Sequence, residues 1–94
     1  MENLKIILKK EGTSVIDVRE PWEDASGHLP EAVNIPLNEI PGRLIELKKI
    51  TGPIILYCHS GGRSGIAVNL LKQSGIKDVY NGGAIADIQH LIMN

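Results

Sequence analysis

"ILYCHSGGRSGIAVNLL", Ile55 to Leu71, decides both how the chain folds and where its chemistry sits. With Ile54 it opens as the apolar run "IILYC" (54–58), which reads as a fully buried strand. The adjacent glycines Gly61 and Gly62 then break the run. Residues 64–73 read as a helix with Ile66, Ala67, Leu70 and Leu71 on one face and Gly75 just past its end. A buried strand running through a glycine loop into a helix is half of a parallel β–α–β unit.

The flanking sequence repeats that alternation. Leu4, Ile7 and Leu8 mark an amphipathic helix over 2–10, closed by Gly12. "SVIDV" (14–18) reads as a buried strand, and Pro21 suits the first turn of a short helix. "AVNIP" (32–36) is a second short strand, stopped by proline. "NEIPGRLIELKKI" (38–50) sets Ile40, Leu44 and Leu47 on one helical face. "DVYNG" (78–82) is a fourth strand, and "AIADIQHLIM" (84–93) a last helix with Ile85, Ile88 and Ile92 in register. The expected fold is therefore α/β, a small parallel sheet of about four strands with helices on both faces. In such a sheet, ligands bind where loops leave the carboxyl ends of the strands. "DVRE", "CHSGGRS" and "NGG" are expected to converge there around Cys58.

Composition bounds the function. The 94 residues are expected to form a single domain over 1–94. Its core must be aliphatic, because there is no Phe, one Trp and two Tyr. One cysteine excludes an intramolecular disulfide and a four-cysteine zinc site, and three scattered histidines do not rebuild a metal centre. A net charge of −1 with no long basic run argues against nucleic acid or a membrane surface as partner. "MENLKIILKK" is too short in apolar residues for a signal peptide, so the protein is expected to be soluble and cytoplasmic. No cofactor is implied.

Cys58 has two readings. A lone cysteine ending a buried strand can be a small hydrophobe. Here, however, Gly61 and Gly62 allow successive amides to point inward, and the following helix aims its positive end at the same point. Arg63 adds a permanent charge. Such surroundings lower a thiol pKa below its free value of about 8.5 and make the thiolate a nucleophile. His59 can grip an anion or lie in solvent, and Ser64 can cap the helix. The spacing is Cys, four residues, Arg, one residue tighter than a phosphatase-type cysteine loop, which favours one bound sulfur atom over a tetrahedral phosphate.

Taken together, "VIDVREPWEDASGHLPEAVNIPL", "IILYCHSGGRS" and "VYNGG" resemble the single-domain rhodaneses, thiosulfate sulfurtransferases. The resemblance implies that Cys58 takes the outer sulfur of a small anionic donor such as thiosulfate as a persulfide. It then hands the sulfur to cyanide or a thiol, or serves a protein sulfur-relay partner. It also implies that the segment His59, Ser60, Gly61, Gly62, Arg63 and Ser64 surrounds the persulfide and donor, and that Asp17 and Arg19 form an architectural charge pair. Three departures stand out. The chain starts almost at the first helix, where relatives have a further strand. Asp24 and Asp87 stand where aromatics are common, which implies a more open pocket. Glu31 stands where glycine is favoured.

Overall fold

Every strand of the sheet is parallel, and the strand order β2–β1–β3–β4 puts the apolar "IILYC" segment inside it. The computed structural model describes residues 3–93. Along the chain the elements are α1 (Leu4–Lys9), β1 (Ser14–Asp17), α2 (Pro21–Ala25), β2 (Val33–Asn34), 3-10 turns at Leu37–Glu39 and Pro41–Arg43, α3 (Leu44–Lys48), β3 (Ile54–Cys58), α4 (Gly62–Gln73), β4 (Val79–Ala84) and α5 (Ile85–Met93). Glu2, where the first helix is expected to begin, lies outside the described residues.

All five residues of β3 are buried, because the alternation of side chains serves two cores at once. Ile54, Leu56 and Cys58 face one core with Ile16, Ile35, Ile40, Leu47, Ala67, Val68 and Leu71. Ile55 and Tyr57 face the other with Ile7, Leu29 and Ile88. Helices therefore cover both faces, α3 and α4 on one and α1 and α5 on the other. The connection after β1 leads to β2 on one side, whereas β3 lies on the other side of β1. That reversal opens a crevice at the carboxyl ends of β1 and β3, where Cys58 ends its strand.

Several local expectations are corrected. β2 is only two residues long, although Ile35 N–H still donates to the Asp17 carbonyl at 2.9 Å. Pro41 and Gly42 split the segment before α3 into tight 3-10 turns, leaving α3 with five residues. Helix α4 begins at Gly62, not Ser64, and its buried residues are Ser64, Ala67, Val68 and Leu71. Turning Ser64 toward Cys58 sets that phase and leaves Ile66 exposed. Likewise Ile92 of α5 is exposed while Ile88 is fully buried.

The "NGG" segment belongs to a strand. Leu56 pairs with Asn81 and Tyr57 with Gly83, so Gly82 is an extra residue, a bulge in β4. A Cβ on Gly82 would lie 2.9 Å from both Ile55 Cγ2 and Ile88 Cδ1, which explains glycine there. Beside this frame, Asp17 and Arg19 form a buried pair. Arg19 donates to Asp17 through Nε and Nη2 (2.8 Å) and to the Gly27 carbonyl at 2.6 Å, with its guanidinium 5.7 Å from the Tyr57 ring centroid. These bonds tie the end of β1 to the loop after α2, an architectural role.

Candidate active site

Only His59, Ser60 and Gly61 separate the end of β3 from the first helical residue of α4. So short a turn needs a left-handed residue, and Gly61 takes it with φ 96° as the helix N-cap. The turn folds the backbone around the sulfur. Gly61 N–H donates to Cys58 Sγ at 3.0 Å, and Ser64 N–H at 3.4 Å. Ser64 Oγ lies 3.4 Å from the same sulfur.

Asn81 on the bulged strand braces this cradle. Its Oδ1 accepts from Ser64 Oγ at 2.6 Å and from Gly83 N–H at 2.9 Å, and its Nδ2 donates to the Gly61 carbonyl at 3.2 Å. The two backbones come close enough that a Cβ on Gly61 would lie 3.4 Å from Gly83 Cα. Thus "CHSGGRS" and "NGG" do converge, and the bulge is the means.

Burial pushes the Cys58 thiol up, but bonds from Ser64 Oγ and from the amides of Ser64, Ser60 and Gly61 outweigh it. The net shift is below the usual thiol value, which makes the nucleophilic thiolate easier to form. The loop is exposed at His59, Ser60 and Gly62, yet Cys58 itself is only 1% exposed. The open pocket expected from the missing aromatics therefore does not extend to the sulfur. Bonding to the neutral cradle, rather than solvent, offsets burial.

Arg63 is engaged elsewhere. Its Nη1 and Nη2 donate to Glu23 Oε1 and Oε2 at 2.6 and 2.9 Å, joining α4 to α2 across 40 positions of sequence. The pair holds the Glu23 carboxyl down at about 2, with the Arg63 bond as the main cause. Next along α2, Asp24 has Oδ1 buried without a hydrogen-bond partner. Burial raises its pKa, and the neighbouring Asp17 carboxylate raises it further. Asp87, at the other position where an aromatic is common, is exposed in the first turn of α5.

A cysteine sulfur held by inward amides at the end of a buried parallel strand, with four residues between it and an arginine, carries the resemblance noted in the sequence. The family model for the rhodanese-like domain matches residues 1–84. The chain belongs to the rhodanese-like family. This rhodanese-like domain is 39% identical over 82 residues to a sulfurtransferase of Allochromatium vinosum, covering 85% of this chain and 76% of that one. It is 41% identical over 71 residues to the putative sulfur carrier protein YrkF of Bacillus subtilis, covering 76% of this chain but only 38% of YrkF. Among solved structures, a rhodanese with anions from Escherichia coli superposes with a TM-score of 0.74 at 34% identity, covering 81% of this chain and 91% of that one. Among the described residues, no helix is long and apolar enough to cross a membrane.

Of the residues singled out by sequence, Cys58, Ser60, Gly61 and Ser64 gather at the sulfur. Gly62 starts α4, His59 is exposed, and Arg63 is held by Glu23. Sequence reasoning does not single out Glu23, and of Asn81 it sees only that "NGG" approaches the loop. A signal for Glu23 does exist. Glu20 and Glu23 stand at the spacing of a capping box, which the structure forms and which fixes the carboxylate above α4.

Proposed function

We propose that this rhodanese-like domain transfers sulfane sulfur through a persulfide on Cys58. The thiolate attacks the outer sulfur of thiosulfate or a related donor, and a new S–S bond forms at Sγ. The donor's own bond to that sulfur breaks, and its electron pair leaves with sulfite. Cyanide or a thiol then attacks the carried sulfur and regenerates the thiolate. The loop from His59 to Ser64 surrounds the carried sulfur and donor, and a reducing cytoplasm keeps the single cysteine available.

The observation that carries this reading is the pair of amides, Gly61 and Ser64, directed at Sγ from 3.0 and 3.4 Å. Such donors stabilise charge on sulfur without a neighbouring base. The four-residue spacing to Arg63 argues against phosphoryl transfer, and retention of Cys58 argues against a module without chemistry. A second reading is a relay loaded by a partner protein. Similarity to a putative sulfur carrier favours it, and it uses the same atoms.

Intact mass spectrometry after incubation with thiosulfate tests the proposal. The protein gains one sulfur atom, cyanide removes it, and Cys58→Ser abolishes the gain. An unmodified wild type under excess thiosulfate refutes thiosulfate as donor. Failure with organic persulfides and thiosulfonates as well refutes the persulfide.

A further inference from the structure

The cation nearest the reactive loop in sequence is already paired before a donor arrives. Arg63 gives both terminal nitrogens to Glu23, whose side chain is only 14% exposed against 36% for Arg63. Glu23 is itself fixed before any substrate arrives, because Glu20 N–H donates to its Oε1 at 3.0 Å within the α2 capping box. It is charged at neutral pH, its carboxyl held down at about 2 mainly by the Arg63 bond, and Glu20 adds a second negative charge within reach of Arg63. Across the crevice, Arg19 is consumed by Asp17 and the Gly27 carbonyl. A dianion approaching Cys58 thus meets a thiolate and, within electrostatic reach of it, a guanidinium already in a bidentate pair with Glu23.

We infer that Glu23 is a specificity-determining residue of this site: by holding Arg63 in a fixed ion pair it turns the site away from the dianion thiosulfate and toward sulfane donors of lower charge. Organic thiosulfonates and persulfides form that class. The inference rests on the sulfur-transfer reading and adds the donor class. For a thiosulfonate, the Cys58 thiolate bonds to the sulfane sulfur. The bond from that sulfur to the sulfonyl sulfur breaks, and its electron pair leaves with the sulfinate. No proton or outside oxidant is needed, and the charge balances. Glu23 acts through Arg63 as a positioning residue and does not touch the reacting atoms.

Two donors with the same reacting bond and different charge isolate the effect. Loading rates of Cys58 are measured by intact mass with thiosulfate, a dianion, and methanethiosulfonate, a monoanion. The rate ratio cancels any change in the nucleophile itself. Glu23→Gln retains the capping-box geometry, since glutamine serves that position equally. It frees Arg63, and the ratio of thiosulfate to methanethiosulfonate rates rises by about threefold to tenfold. The rise shrinks in high salt. In Glu23→Gln/Arg63→Gln it disappears. Glu23→Asp keeps the charge but withdraws it by one methylene. It gives a smaller rise and serves as the readout if Glu23→Gln fails to fold. A ratio unchanged in both single variants, or a rise that persists without Arg63, overturns the inference while leaving sulfur transfer intact. No loading of the wild type by either donor removes both.

Discussion

Ser64→Ala tests the cradle at its most connected atom. Ser64 is fully buried, and its hydroxyl has one proton and three partners: Asn81 Oδ1 at 2.6 Å, the Gly61 carbonyl at 3.2 Å and Cys58 Sγ at 3.4 Å. The shortest contact takes the proton in the thiol form. Deleting the oxygen leaves Asn81 Oδ1 with Gly83 N–H, and Asn81 Nδ2 still holds the Gly61 carbonyl. One buried bond is lost without orphaning its partner, so stability falls by about 1–2 kcal/mol. The amides of Gly61 and Ser64 survive, so the thiol pKa rises without losing all its support. A thiolate weakened by about 1 kcal/mol reacts about fivefold more slowly below its titration midpoint. The assay is the iodoacetamide alkylation rate of Cys58 followed from acid to alkaline pH, alongside thermal unfolding. The variant's profile should move to higher pH. A profile superimposed on the wild type, with stability reduced, would refute the reasoning and make Ser64 a strut only.

Acid unfolding carries a second signature. Glu23 has its folded pKa lowered from 4.5 to about 2, so its contribution is complete above 4.5 and is lost as pH falls toward 2. With Arg63 partly exposed, solvent screening cuts this to about 1 kcal/mol. Glu23→Gln therefore flattens urea-unfolding stability across that window, and an unchanged slope would dismiss the pair as a stabilising contact. Asp24 works in the opposite sense. Its raised pKa means that its benefit exists below 3.8 and is lost as pH rises through the folded value, so Asp24→Asn should stabilise at neutral pH and not in acid. Glu31, at φ 62°, is the lone non-glycine residue with positive φ among the described residues. Glu31→Gly should raise stability by about 0.5–1 kcal/mol, and a loss on thermal unfolding would refute the strain.

The frame was legible because the signals that set it are local. An all-buried β3 reads as a continuous apolar run, and alternation with helices implies parallel pairing. Cys58 at the strand's end, with Gly61 and Gly62 close behind it, marks the candidate site's turn without knowledge of its neighbours. The residues that surround the turn were harder to see. Glu23 meets Arg63 across 40 positions, and no local pattern announces an ion pair of that span. The phase of α4 is set by a tertiary bond of Ser64, which no hydrophobic count contains, so Ile66 faces solvent although its spacing places it with the core. The reach of β4 depended on an inserted glycine, which looks like a loop until its partner strand is known. Glu31, by contrast, was visible as a departure at a glycine-favoured position, and the backbone there is indeed left-handed.

The bulge in β4 has a consequence beyond the sulfur cradle. β4 is one outer strand of the sheet, and its six residues would otherwise offer a straight row of backbone groups to another chain. The extra Gly82 interrupts the spacing of those groups midway, and Gly83 at φ 78° bends the strand away from a flat template. The longer exposed border of so small a sheet is thereby spoiled for edge-to-edge growth. The distortion that aims Asn81 at the sulfur cradle also guards the protein against aggregation.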